Sequence, residues 1–108
     1  MSNNIDVTAG TTRIQGLCAP QFEQVLDAFS KNFHTLNEVG ASLCLYYQGE
    51  LVVVLWGGQR DTGTDAAPWE SDTLCVVFSC TKAATALCAH VLVDQGRLDL
   101  HAPVTAYW

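Results

Sequence analysis

Leu51-Val52-Val53-Val54-Leu55-Trp56 is the run that most limits what this chain can become. It is rich in β-branched residues and apolar at every position. As a strand it turns greasy side chains to both faces and needs cover above and below. The residues before it supply a partner. In Ala41-Ser42-Leu43-Cys44-Leu45-Tyr46-Tyr47, Leu43, Leu45 and Tyr47 fall on one face, and Ser42, Cys44 and Tyr46 on the other. Gln48-Gly49 is a tight turn between the two runs, which together read as a β-hairpin. A two-stranded hairpin is marginal by itself. One covering element is legible upstream. After Pro20, placed where a helix opens without losing a needed N–H, Phe22, Val25, Leu26, Phe29, Phe33 and Leu36 recur at spacings of three and four. That is the apolar stripe of a helix over 20–36, ended by Asn37 and Gly40. It can cover one face of the hairpin. The chain has 108 residues and is 49% hydrophobic, and a unit this small leaves much of its surface in water. The surplus apolar surface predicts contact with a partner or with a further part of the same fold.

The remaining segments read more simply. Residues 1–17 are polar and irregular, and an N-terminal arm is expected over 1–19. Residues 57–72 form a loop rich in Gly, Thr and Asp, with Pro68 and Trp69; its Asp61, Asp65, Glu70 and Asp72 read as a solvated acidic stretch. Residues 73–78 are a short extended piece. Residues 79–95 are rich in Ala and Leu and predict a helix, with Gly96 as its C-terminal stop. Leu98-Asp99-Leu100 is a short extension, and Ala102-Pro103-Val104 begins another helical turn. The mixture places the chain in the α+β class.

Composition excludes several functions. The net charge is −6 with a pI near 4.6, and Lys and Arg form no cluster, so no footprint for nucleic acid or an anionic membrane is present. Met1-Ser2-Asn3-Asn4-Ile5-Asp6 lacks the basic and apolar regions of a signal peptide. No apolar run reaches the ~18–20 residues of a membrane span. A cytoplasmic protein is expected. The cysteines, Cys18, Cys44, Cys75, Cys80 and Cys88, are odd in number and show no C-x-x-C spacing; they read as small buried apolar residues and not as a disulfide framework. His34, His90 and His101 have no metal-ligand spacing. Neither a metal nor a cofactor is expected.

One polar quartet stands out. Ser79-Cys80-Thr81-Lys82 opens the apolar helix. A serine at a helix head ordinarily caps the first free N–H groups, and a bare S-x-x-K match arises often by chance. Yet residues i and i+3 share a helix face with Cβ atoms about 5–6 Å apart. Lys82 can therefore reach the Ser79 oxygen. Serine is a weak nucleophile until a neighbouring base takes its proton. Burial disfavours the charged form of a lysine, so a lysine at the root of an apolar helix can serve as that acceptor. The positive end of the helix dipole favours an oxyanion, toward which the Ser79 N–H can supply a donor.

The surroundings of the quartet carry a resemblance. Asp72-Thr73-Leu74-Cys75-Val76-Val77-Phe78-Ser79-Cys80-Thr81-Lys82 is followed by Leu87-Cys88-Ala89 and by Gly96-Arg97-Leu98-Asp99-Leu100-His101-Ala102-Pro103-Val104. This succession closely resembles the serine β-lactamase-like superfamily, which includes class C β-lactamases, penicillin-binding proteins and family VIII carboxylesterases. Gly40-Ala41 leading into a strand, Gly49, and Leu55-Trp56-Gly57-Gly58 look like its esterase-like branch. The resemblance spans residues 20–108. It implies the N-terminal portion of a β-lactamase/transpeptidase-like fold, with a helix, a hairpin, an incomplete sheet and a nucleophile-bearing helix. It implies Ser79 as the acylated nucleophile, Lys82 as its partner in proton transfer, a small-molecule ester or lactam as substrate, and no cofactor or metal.

The departures are as informative. The S-D-N and K-T-G companions of related enzymes do not occur. The downstream tyrosine motif and glycine-bearing strand of the esterase-like and class C branches are not found in the 26 residues from Ala83 to Trp108. Tyr107 lies too close to Ser79 in sequence for that tyrosine's role. Tyr46 and Tyr47 read as packing residues, and Trp56 and Trp69 as core or loop anchors. His90 sits about three turns into the helix, too far to act as a general base on Ser79. The chain thus reads as an N-terminal fragment, over 20–108, of a β-lactamase-related serine hydrolase domain. Its partner is expected to be the missing C-terminal part of the fold or a second copy meeting it through exposed apolar surface. A carboxylesterase is the first functional expectation. The alternatives are a β-lactamase or D-Ala-D-Ala peptidase-like activity, or a catalytically incompetent remnant.

Overall fold

The N-terminal residues expected to be irregular fold instead into a hairpin. In the computed structural model, which describes residues 2–108, β1 (Asn3–Ala9) pairs antiparallel with β2 (Thr12–Cys18). Ile5, Val7 and Ala9 alternate with polar residues along β1, and Ile14 and Cys18 bury the matching face of β2. This two-residue period hides within a polar composition. The connecting loop is Gly10-Thr11, with Gly10 at φ 63°, the positive value that two-residue hairpin turns demand.

Pro20 opens a 3-10 turn (Pro20–Phe22) that runs into α1 (Glu23–Thr35). The Ala19 N–H donates to the Val52 carbonyl at 2.8 Å and ties the helix entry to the sheet. Glu23 in the first turn suits the positive end of the helix dipole. Asn37 takes a left-handed φ of 54° just beyond the last turn, where the sequence places the stop.

The predicted hairpin is present as β3 (Gly40–Tyr47) and β4 (Glu50–Gly58), with Gln48 and Gly49 both at positive φ. It does not stand alone. The sheet has four antiparallel strands in the order β1-β2-β4-β3, so the N-terminal hairpin supplies the neighbour that β4 needs. β2 and β4 approach very closely at Gly16, where φ is 142° and an added Cβ would collide with the Val54 carbonyl. Register places Ile14, Cys18, Val53, Leu55 and Leu43 on the face beneath α1. Ile14, Val53 and Leu55 are 0% exposed, and Phe29 and Phe33 from α1 close over them, ring edge to ring face at 5.4 Å. Each such burial contributes roughly 1.5–3 kcal/mol. On the other face Leu17, Val54 and Trp56 are only half-buried, so the doubly apolar strand gains full cover on one side. A register shift between Leu45 and Tyr46 marks a bulge near the turn. Tyr46 and Tyr47, both expected to pack, are exposed, though Tyr47 meets Phe22 edge-on with ring centroids 5.7 Å apart.

The loop after β4 is pinned by Trp69. Its N–H donates to the Gly58 carbonyl at 2.9 Å, and its ring lies where a side chain at Gly40 would stand. Asp61 folds onto the loop, accepting from the Gly63 N–H at 2.6 Å, so part of the acidic stretch is locally structured.

The chain divides into two compact units, Met1–Thr73 and Leu74–Trp108. Residues 73–78 are expected as an extended piece, but 73–77 pair with no strand and Phe78 belongs to a 3-10 turn. A 3-10 turn (Phe78–Cys80) leads into α2 (Thr81–Asp94). Gly96 ends it at φ 68°, with the Gly96 N–H donating to Val93 and the Arg97 N–H to Leu92, the paired bonds of a Schellman cap. No residue of α2 is buried. Its apolar side chains run all the way round, a pattern suited to a helix enclosed on every side, and this unit contributes no second layer to enclose it. Among the described residues no helix is long and apolar enough to cross a membrane. The described residues form an α+β fold, with an open four-stranded sheet and two α-helices.

All five cysteines are free, but only Cys18 is buried; the other four, expected inside, are exposed. Burial raises the Cys18 thiol pKa, and the negative charges of Glu23 and Asp27 add to the rise. Titration of the native chain with a chromogenic disulfide reagent should therefore show four fast thiols, with the fifth reacting only after denaturant is added.

Across the N-terminal hairpin Arg13 grips Asp6 through two bonds, Nε to Oδ1 at 2.8 Å and Nη2 to Oδ2 at 2.6 Å. The hydrogen bonds from Arg13 hold the Asp6 carboxyl below its ordinary value. A depressed carboxyl stabilises the fold above its unfolded pKa, about 3.9, and loses that contribution as pH falls toward its lower folded value. The side chains are 64% and 57% exposed, so the effect is small. Asp6→Asn should leave a shallower fall in melting temperature between pH 5 and pH 3 than the wild-type chain shows, a difference that added salt reduces.

Candidate active site

Ser79 sits at the open end of α2 because the chain turns sharply just before it. The Cys80 N–H donates to the Val77 carbonyl at 3.0 Å, and the Thr81 N–H reaches both the Phe78 and Ser79 carbonyls. The turn contains Phe78 at φ 46°, a left-handed value for a bulky side chain. Nothing in the sequence signals that conformation, since glycine is its usual occupant.

Lys82 lies one turn further on, and the two side chains meet. Lys82 Nζ donates to Ser79 Oγ at 3.0 Å. The dull role for a serine at this position is not adopted: neither the 3-10 turn nor α2 starts with a side-chain cap, and the hydroxyl engages the amine instead. At this distance the bond can run either way. The hydroxyl can turn to donate its proton to an uncharged amine, as activation of the nucleophile requires. Both residues are exposed, unlike the dry setting that the apolar helix predicts. The reason is local: α2 is apolar on all sides and its unit holds nothing that packs over the pair.

Other candidate residues are placed elsewhere. His90 is exposed in the third turn of α2. The Tyr107 hydroxyl accepts the Asp99 N–H at 2.7 Å and the Asp99 carboxylate accepts the His101 N–H at 2.9 Å, so this tyrosine serves the turn after α2. Trp108 is fully exposed. A cleft of about 770 Å³ belongs to the first unit and is lined by Arg13, Gln15, Glu38, Asp61, Trp69 and Glu70 among others; it contains neither Ser79 nor Lys82. Size does not make it the site, since it brings together no nucleophile and base. Among the described residues no group of three His, Cys, Asp or Glu side chains is arranged to hold a metal ion.

Comparison with known proteins places the chain in a family. The family model described as Beta-lactamase matches residues 25–108. The chain belongs to the beta-lactamase family, a class of serine hydrolases. It is 38% identical over 96 residues to the Esterase/beta-lactamase LipL of Mycobacterium tuberculosis (strain ATCC 25618 / H37Rv), a match that takes in 89% of this chain and 22% of that protein. The chain thus spans about a fifth of the length of the curated relative it matches. No solved structure matches it.

Proposed function

We propose that Ser79 is the nucleophile and Lys82 its proton partner in a serine hydrolase that works through an acyl-enzyme, with a carboxylic ester as substrate. The observation that carries this reading is the 3.0 Å contact between Lys82 Nζ and Ser79 Oγ at the head of α2. Ser79 Oγ attacks the carbonyl carbon while Lys82 Nζ takes the hydroxyl proton. The tetrahedral oxyanion gains from the helix dipole and from the Ser79 N–H at the start of the turn. Collapse expels the alcohol, which leaves with the proton returned from Lys82. Water then attacks the acyl-enzyme, the carboxylic acid departs and Ser79 is restored. Residues 20–108 are the N-terminal part of the catalytic domain in this reading.

Ester is preferred to lactam because Leu55-Trp56-Gly57-Gly58 and the strand entry at Gly40-Ala41 look like the esterase-like branch. The matched relative carries both terms in its name. A second reading has an observation of its own. No residue of α2 is buried and the pair is exposed, as in a chain that displays the nucleophile without turning substrate over.

A fluorophosphonate probe separates the two. The 108-residue chain should take one label at Ser79, lost in Ser79→Ala and slowed about 10²-fold or more in Lys82→Ala, the scale of a missing general base. Labelling that is absent, or indifferent to Ser79→Ala, leaves the non-catalytic reading standing. Where turnover is measurable, a short-chain aryl ester should be hydrolysed faster than a chromogenic cephalosporin; the reverse order assigns a lactam.

A further inference from the structure

The cleft of the first unit holds no reactive pair, yet its walls are built. Three segments form them: β2 through Gln15, the link from α1 to β3 through Asn37 and Glu38, and the loop after β4 through Gln59, Asp61, Trp69 and Glu70. The loop wall is tied to the sheet. The Gln59 N–H donates to the Val39 carbonyl at 2.8 Å, the Trp69 N–H to that of Gly58 at 2.9 Å, and Gln59 and Pro68 form a β-bridge. At about 770 Å³ the cleft has the volume of small-molecule sites, which run from about 300 to 1,000 Å³. Such sites are mostly apolar. This one is lined chiefly by polar side chains, and their chemistry selects the ligand.

The carboxylates of Glu38, Asp61 and Glu70 line the cleft. Arg13, its one cation among the described residues, already turns two guanidinium nitrogens to Asp6. An anion is therefore repelled. Glu38 and Asp61 each accept one backbone N–H, at 3.0 and 2.6 Å, which leaves acceptor capacity on both. The carboxamides of Gln15, Asn37 and Gln59 bring donors as well as acceptors to the same space. A simple cation would leave those donors idle. Trp69 adds one more. Its Nε1 is buried without a hydrogen-bond partner, a condition that folded proteins rarely leave unexplained. Its ring supplies apolar surface to a largely polar wall. The ligand that fits must donate and accept hydrogen bonds around its rim, carry no negative charge and present an apolar face to an indole.

We propose that this cleft binds a neutral oligosaccharide. Ring hydroxyls donate to Glu38, Asp61 and Glu70 and pair with the carboxamides of Gln15, Asn37 and Gln59. The C–H face of one ring lies against Trp69, whose indole turns to donate its N–H to a hydroxyl oxygen. The site binds without reacting, and it stands apart from the reading of Ser79.

The test is a proton–nitrogen NMR titration of the whole chain with maltotriose, cellotriose, xylotriose and chitotriose in turn, and with spermidine as the cationic comparison. At least one trisaccharide should give saturable shifts of the Trp69 indole N–H and of the Gln59, Asp61 and Gly63 amides. The indole signals of Trp56 and Trp108, neither of which lines the cleft, should stay in place. Glu70 and Gln59 are exposed, so their truncation leaves the core intact. Glu70→Ala should weaken binding about tenfold and Gln59→Ala about threefold, the scales of a charged and a neutral hydrogen bond. Trp69→Phe keeps a ring and removes the donor; it should weaken binding about threefold or more, with the β2 and β4 amide signals reporting that the sheet is unchanged. The absence of saturable shifts with all four trisaccharides overturns the proposal. So do shifts that Glu70→Ala, Gln59→Ala and Trp69→Phe all leave unaltered. Shifts of the same signals by spermidine, with the trisaccharides silent, make the cleft a cation site and overturn it too.

Discussion

The seam between β2 and β4 holds the first unit together. Gly16 lets the two backbones close to a distance that no side chain would permit. That approach places Ile14 and Cys18 beside Val53 and Leu55, forming the floor on which Phe29 and Phe33 settle. Without it β4 would keep one neighbour, and the N-terminal hairpin would have no sheet to join. The helix entry depends on the same strand through the bond from Ala19 to Val52. The unit that holds Ser79 is organised differently. Its order comes from local bonds, at the turn before Ser79 and the cap at Gly96, and its long apolar surface is left uncommitted.

Much of this was legible in the residues. Spacings of three and four marked α1, alternation marked β3, and the apolar run marked β4, because each periodicity reports one buried face. The N-terminal hairpin was not legible. Ile5, Val7 and Ile14 alternate correctly but sit among Asn, Asp, Thr and Gln, and their hydrophobic partners lie forty residues away in β4. Pairing over that separation is a tertiary matter that no local window contains. The cysteines misled for a related reason: their type favours burial, but only Cys18 falls on the covered face of a strand.

At the site the balance is similar. The i, i+3 geometry of Ser79 and Lys82 follows from helix spacing alone, so the sequence suffices to bring them together. The strained turn ahead of them is invisible in the residues, because phenylalanine is among the last choices for a positive φ. The expectation of a dry pair failed because apolar composition states what a helix is suited to, and this unit does not provide it.

The sheet ends on β3, whose residues Gly40–Tyr47 include no charged side chain and no proline. Charge and proline are the usual devices by which an outermost strand refuses strangers. β1, at the opposite border, carries Asp6. β3 thus presents an unguarded row of amide and carbonyl groups to any extended peptide that drifts alongside.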